Sequence, residues 1–297
     1  MNPAMIDYTP LRTTPATSDQ AAVLEAARRG DLGQETARYL ARAGARSSAL
    51  GCLVGGVLAA ITTIAMVAQG DSESVVVGGV FLAGAVLVGL AVKALVAAGE
   101  RRNRERLVRL VAFARANGLP VEPEAEVRLL PGCIFASSLN VRTMHRVQWQ
   151  AGGLSFEAAT HSRWQEGKQG TLLVRFLAVR LDVRPPRLTF HPGRGGGVRP
   201  AAILGTDAFE GEKFDLIART HDHAGARVFL TDELRTLLTE HDRPVSAEVV
   251  DGWFFAYFRH HDELDEQGWR QAFAVAEAVV RARDAFLAWQ GSRLPSA

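Results

Sequence analysis

Two histidine-containing runs have the residue types and the spacing that could do chemistry. Residues 221–223 read His-Asp-His and residues 260–262 read His-His-Asp, and each run follows a predicted strand. Imidazole and carboxylate groups are common ligands of zinc and other transition metals. If both strands end at the same edge of a sheet, these side chains converge and could support metal-dependent hydrolysis. The candidate metal ligands are His221, Asp222, His223, His260 and His261.

The alternative for both runs is structural. Residues 222–225 are also typical of a polar turn, and residues 260–263 are typical of a solvated linker before a helix. The run Gly193–Gly197 lacks the Gly-Lys-Ser/Thr of a phosphate-binding loop, and Pro200 stands where the helix of such a loop would begin. Because the structural interpretation is favoured for all three runs, the sequence predicts no cofactor and no catalytic residue.

A basic segment, residues 100–118, holds the positive excess of the chain. The protein has 31 arginines, three lysines and a net charge of +2, while this segment alone carries +4. Charge confined to one stretch does not form the broad basic surface that binds nucleic acid, so no nucleic-acid partner is predicted. Each arginine beside an anionic membrane leaflet contributes about 1 kcal/mol of attraction. The predicted lipid-headgroup ligands are Arg101, Arg102, Arg104 and Arg106.

Two uncharged runs, residues 49–68 and 75–92, lie before the basic segment. A helix that crosses a membrane needs about 20 apolar residues, and the second run reaches that length if it includes Lys93 and continues to Ala98. Six polar residues separate the runs, which predicts a two-helix transmembrane hairpin. Two helices in the core of a soluble protein are the alternative. Arginines flank the outer ends of the hairpin, so we predict an inner-membrane protein with both termini in the cytoplasm.

These features divide the chain into three predicted parts. Residues 1–47 form a cytoplasmic amino-terminal tail with helices, residues 48–99 the hairpin, and residues 100–297 a cytoplasmic domain. Within the tail, residues 1–17 contain four threonines and three prolines and predict an extended segment.

Apolar and polar residues alternate along much of the cytoplasmic domain, which predicts strands. A long helix is predicted after the last strand. Two hairpins are predicted at Ala151-Gly152-Gly153 and at Asp251-Gly252, and Thr231 is predicted to cap a short helix. A final helix is predicted over residues 266–290, and its apolar residues at helical spacing are Trp269, Phe273, Ala276, Val280 and Leu287. The predicted fold class is therefore α+β: a transmembrane hairpin plus a mostly antiparallel sheet with a carboxy-terminal helix packed on it. An open sheet is favoured over a closed barrel of the bacterial pleckstrin-like type.

The aromatic run at residues 253–258 has two interpretations. Its side chains could stack on a ligand, or they could fill the core on both faces of a central strand. The core interpretation is favoured.

Four short motifs resemble segments of uncharacterised bacterial membrane proteins with a two-helix transmembrane hairpin and a cytoplasmic domain of unknown function. The resemblance covers residues 48–290 and implies the same layout, without catalytic residues. The motifs are residues 110–118 (LVAFARANG), 209–214 (FEGEKF), 230–234 (LTDEL) and 250–254 (VDGWF).

The functional prediction follows from this layout. We expect a membrane-anchored, non-enzymatic protein that presents an interaction or regulatory domain at the inner leaflet. Its expected partners are the lipid bilayer and either another protein or a second copy of the chain. A membrane-tethered, metal-dependent hydrolase that uses the histidines at the strand ends is the alternative.

Overall fold

The computed structural model describes residues 5–41, 72–135, 141–164, 171–192, 207–211, 214–218, 223–239, 242–258 and 262–293. For residues 72–83, 85, 86, 164, 207–211, 214 and 215 it describes the backbone alone. The chain divides into two compact units, one formed by residues 1–14 with 109–297 and the other by residues 15–108. The three-part division expected from the sequence stays a prediction.

Six helices can be labelled in chain order, and residues 34–41 are helical as well. A 3-10 turn at Cys133–Phe135 lies between the third and fourth helices. The helices are α1 (Thr9–Arg12), α2 (Thr17–Arg29), α3 (Ser72–Ala116), α4 (His223–Phe229), α5 (Asp232–Leu238) and α6 (Glu266–Gly291).

Nine strands form one sheet in which all neighbouring strands are antiparallel. The order across the sheet is β1-β2-β3-β4-β9-β8-β5-β7-β6, so that β1 and β6 are its two edges. The strands are β1 (Val121–Ala125), β2 (Arg142–Ala151), β3 (Leu154–Trp164), β4 (Thr171–Arg180), β5 (Leu188–Pro192), β6 (Asp207–Gly211), β7 (Phe214–Ala218), β8 (Val245–Val250) and β9 (Trp253–Phe258).

Two tight turns set the register of the sheet. Gly152 and Gly153 connect β2 to β3 with φ angles of 54° and 79°, and Asp251 and Gly252 connect β8 to β9 with φ angles of 51° and 76°. Positive φ at both central residues is the requirement of the two-residue hairpin turn that matches strand twist. Both hairpins are confirmed at the positions predicted from the sequence.

One face of the sheet packs against α6. Trp269, Phe273 and Phe286 of this helix are at most 2% exposed and belong to one core with Leu177 of β4 and Phe254 of β9. The predicted helix is confirmed, but its predicted apolar position at Leu287 is wrong. Leu287 is 43% exposed, and its neighbour Phe286 is buried instead.

The second face of the sheet has its own apolar cluster, built around Phe135, Phe176, Phe255 and Tyr257. In β9, alternate residues therefore enter the two cores, since Phe254 belongs to the α6 core and Phe255 to this cluster. The sequence interpretation of the aromatic strand as core is confirmed.

Besides α1 and the 3-10 turn, three elements were not predicted. Strand β1 contains Pro123, which is tolerated because β1 lies at a sheet edge. Helix α4 replaces the polar turn expected at residues 223–225. Its Gly225 is required by packing, because a Cβ atom there would lie 2.8 Å from Cγ of Pro186. The third element is the edge strand β6.

The extended tail predicted for residues 1–17 is wrong at residues 9–12. Residues 9–12 form helix α1, with Pro10 in its first turn, a position that suits proline because no helical N–H partner is lost there. Leu11 is 1% exposed and lies in the α6 core.

The predicted transmembrane hairpin is not supported. Among the residues that the structure describes, no helix is both long and apolar enough to cross a bilayer. The prediction of two spans, and with it an integral inner-membrane location with both termini cytoplasmic, is wrong on these residues. The first run, 49–68, lies outside them.

Candidate functional site

Helix α3 exposes large apolar side chains over three turns. Less exposed residues follow one another at positions 89, 92 and 96, which places them on a single stripe of the helix. The exposed residues lie away from that stripe and form a continuous apolar surface, a feature that marks interaction sites. We call it the apolar face of α3: Leu87 (66% exposed), Val88 (54%), Leu90 (58%) and Leu95 (74%).

Arginines follow the apolar face directly. Arg101, Arg102 and Arg104 are exposed, while Arg106 is half-buried. Arg104 pairs with Glu100 at 3.5 Å, but this exposed pair contributes little because water screens it. At about 1.5 Å per residue, the apolar face and the three exposed arginines together occupy about 26 Å of one continuous helix.

The predicted metal ligands are largely outside the described residues. His221, Asp222, His260 and His261 all fall there. His223 is the first residue of α4, half-buried, with its Nε2 atom 3.3 Å from the backbone oxygen of Ala218. Among the side chains that the structure describes, no group of three His, Cys, Asp or Glu residues is arranged to hold a metal ion. The metal centre stays a prediction.

A carboxylate–phenol pair lies on the second face of the sheet. The Tyr257 hydroxyl donates to Oε1 of Glu248, and the backbone N–H of Cys133 donates to the same oxygen at 2.6 Å. A Cβ atom at position 132 would lie 2.5 Å from the Tyr257 hydroxyl, so only glycine allows the turn to approach this closely. Burial, followed by the charge of Glu248, raises the pKa of Tyr257. The phenol therefore stays protonated and fixes the 3-10 turn to β8 and β9.

A buried histidine lies near this pair. His161 of β3 is 1% exposed, and its ring meets the edge of Phe135 with a centroid separation of 4.8 Å. Burial and then the charge of Arg163 lower the pKa of His161 to about 4, although the backbone of Ile134 partly opposes this shift. The imidazole is therefore neutral at physiological pH.

We expect this histidine to make the protein less stable in mild acid. The pKa of His161 is lower in the folded state (about 4) than in the unfolded state (6.5), so the unfolded state binds more protons between these values. Stability is thus complete above pH 6.5 and falls as the pH decreases towards 4, by about 2 kcal/mol at pH 5. Urea unfolding of the wild type and His161→Gln across this range measures the effect.

The matched control for this prediction is His223→Gln, a half-buried histidine in α4. The control should keep the pH dependence of the wild type, whereas His161→Gln should lose most of it. Equal pH profiles for the wild type and His161→Gln would contradict the assignment of this dependence to His161.

A second buried charged group lies in the α6 core. The Arg175 guanidinium lies 4.1 Å from the centroid of the Trp269 ring and donates from Nη1 to the backbone oxygen of Asp262 at 3.0 Å. Burial lowers the pKa of Arg175 to about 10, while Asp265 and Glu263 oppose the shift. The arginine stays protonated at neutral pH and holds the start of α6 against β4.

The buried groups were missed by sequence reasoning because their partners come from distant parts of the chain. Glu248 and Cys133 are 115 residues apart. The available signal was a charged residue in the interior of a mostly apolar strand, as with Glu248 in β8 and Arg175 in β4. Both groups bond internally and crosslink elements of the fold, which leaves the surface of α3 as the candidate functional site.

Comparisons with known proteins give little further information. No protein-family model matches the chain, and neither does any curated protein sequence. Among solved structures, the chain is similar to the crystal structure of the mycobacterial trehalose monomycolate transport factor A, TtfA. The two are 12% identical with a TM-score of 0.44, over 59% of this chain and 93% of that chain. A likeness of this size assigns no function, and the resemblance to uncharacterised bacterial membrane proteins stays a prediction.

Proposed function

We propose that this protein works at the surface of a lipid bilayer and that α3 is its lipid-contacting element. The observation that supports this proposal is the apolar face of α3 followed at once by exposed arginines. Leucines of this kind bury their side chains at the boundary between headgroups and acyl chains, while cations contact anionic headgroups.

Lys93 is the one charged residue between the exposed leucines Leu90 and Leu95 of the apolar face. The long stem of Lys93 allows its ammonium group to reach the headgroup layer while the neighbouring leucines stay in contact with lipid.

The second part of the proposal concerns the sheet. Helix α3 continues without a break to Ala116, and its residues from Arg109 onward belong to the unit that contains the sheet. Lipid contact through residues 87–104 therefore tethers the sheet unit covalently to the membrane surface. We infer that this unit serves interaction or regulation there, with another protein or a second copy as partner.

Vesicle binding by the full chain tests the proposed role of the arginines. We expect the triple variant Arg101→Gln, Arg102→Gln, Arg104→Gln to bind vesicles containing phosphatidylserine about 100-fold more weakly than the wild type. Three arginines contribute about 3 kcal/mol together, and this attraction is screened as NaCl rises from about 0.05 M to about 0.5 M. Co-sedimentation with anionic and with purely zwitterionic vesicles measures how binding depends on lipid charge. Repeating it across this range of NaCl measures how binding depends on salt.

The matched control removes the same charge from the other unit. Arg180, Arg227 and Arg293 are exposed arginines outside α3, and their triple substitution by glutamine should leave anionic vesicle binding within about threefold of the wild type. Equal loss in both triple variants would show that net charge alone drives binding. No loss in the α3 variant would overturn the role of these arginines.

A further inference from the structure

Residues 5–14 form a short segment, the amino-terminal clip, that packs against distant parts of the chain. Tyr8 and Leu11 are the buried residues of the clip, at 5% and 1% exposure. The Tyr8 ring stacks on Phe113 of α3 with a centroid separation of 5.9 Å, and Phe113 lies 5.2 Å from the ring of Trp269. Two aromatic rings from two helices thus form the floor of the site that the clip occupies.

The side chain of Asn117 forms two hydrogen bonds with the backbone of the clip. The N–H of Asp7 donates to Oδ1 of Asn117 at 2.8 Å, and Nδ2 of Asn117 donates to the backbone oxygen of Asp7 at 2.9 Å. One side-chain amide therefore satisfies both polar groups of a single peptide residue, which fixes the position of the segment along the site.

Charged side chains at the start of α6 contact side chains of the clip, which makes the site selective for those residues. Arg12 forms an ion pair with Glu266, and the Arg270 guanidinium lies 4.2 Å from the centroid of the Tyr8 ring. Nε of Arg270 also donates to Oε1 of Glu266 at 2.9 Å, so the two acceptor residues hold each other in place. The site thus has a separate contact for the aromatic and the basic residue of the clip.

The clip is joined to the rest of the chain in a way that allows it to separate. It belongs to the unit of the sheet, whereas the chain from Pro15 onward belongs to the other unit. Only two of its side chains are deeply buried, while holding ten residues in one conformation costs backbone entropy for each of them. Segments of this kind open at much lower free energy than the domain on which they pack.

We propose that Phe113, Asn117, Glu266, Trp269 and Arg270 form an acceptor site for a short peptide, and that residues 5–14 of a second copy of the chain fill it in exchange for the chain's own clip. The exchanged contacts are identical to the internal ones, which is the condition for segment swapping between copies. This inference does not depend on the lipid contact of α3.

Complementation between two full-length variants tests the exchange. The clip-defective variant carries Tyr8→Ala and Leu11→Ala and keeps its acceptor, whereas the acceptor-defective variant carries Asn117→Ala and Glu266→Ala and keeps its clip. In sedimentation velocity, we expect neither variant alone to form the additional dimer. An equimolar mixture should form an additional 1:1 dimer at concentrations of about 10–100 μM, because only the mixture joins a vacant acceptor to an intact clip.

A labelled peptide of residues 5–14 gives an independent measurement. It should bind the clip-defective variant saturably and bind the wild type at least about 10-fold more weakly, because the wild-type clip competes at high effective concentration. Adding Asn117→Ala should weaken peptide binding, whereas Asn103→Ala, at an exposed position of the same helix, should not. If the double substitution unfolds the chain, Leu11→Ala alone serves as the clip-defective variant. Absence of peptide binding, or absence of the mixed dimer with both variants folded, would overturn the proposal.

Discussion

Replacing Arg175 by alanine is expected to destabilise the protein by about 3–5 kcal/mol, because it removes a buried cation that is attracted to the charges of Asp265 and Glu263. Glu263 is 9% exposed, and Asp265 lies at the start of α6 beside Arg243. The substitution also removes the guanidinium from the Trp269 ring and the hydrogen bond to the backbone of Asp262. Urea unfolding at neutral pH, followed by tryptophan fluorescence, measures the free-energy change.

Arg180 provides the matched control for this prediction. It lies on the same strand as Arg175 but is exposed, so Arg180→Ala should change stability by no more than about 0.5 kcal/mol. Arg175→Lys keeps the charge and loses the planar contact with the ring, so its cost should be intermediate. A cost below about 1 kcal/mol for Arg175→Ala would contradict the role assigned to this residue.

Gly152→Ala is expected to cost about 2–5 kcal/mol, for two reasons that can be separated. Its φ of 54° lies in the left-handed region, which costs an ordinary residue about 1–2 kcal/mol. A Cβ atom would also lie 2.2 Å from Cγ1 of Val280 in α6, and relieving such an overlap costs about 1–3 kcal/mol. Equilibrium unfolding in urea is again the measurement.

Variants at Gly153 and Val280 separate the cost of the backbone conformation from the cost of the steric overlap. Gly153 has a φ of 79°, but a Cβ atom there would have no heavy atom of another part of the chain within 4 Å. Gly153→Ala should therefore show the backbone cost alone, about 1–2 kcal/mol. Adding Val280→Ala to Gly152→Ala should recover the steric part. Equal costs for the two glycine variants, or strictly additive effects of Gly152→Ala and Val280→Ala, would contradict the overlap.

Much of the sheet could be predicted because its signals are local. The two hairpins follow from residues that accept positive φ between apolar runs, and the Thr231 cap is confirmed by its side-chain contact with the N–H of Leu234. Helix α4 was missed because Gly225 is normally a turn residue, and its requirement here comes from Pro186, which is distant in sequence.

Sites that depend on distant contacts could not be predicted. The clip is an example, since nothing within residues 5–14 indicates that Asp7 meets Asn117, 110 residues away. The wrong hairpin prediction came from the lengths of two uncharged runs, whereas no helix among the described residues meets the length and hydropathy of a span. The predicted headgroup role of Arg101, Arg102, Arg104 and Arg106 stays a prediction.

The most direct test of lipid contact by α3 uses an environment-sensitive fluorophore. It is attached through Leu90→Cys in a full chain with Cys52→Ala and Cys133→Ala, and Leu287→Cys on α6 is the matched exposed control. On mixing with anionic vesicles, we predict that the fluorophore at position 90 shifts to the blue and is quenched by acyl-chain quenchers. The fluorophore at position 287 should be unchanged. No response at position 90, or equal responses at both positions, would contradict lipid contact by the apolar face of α3.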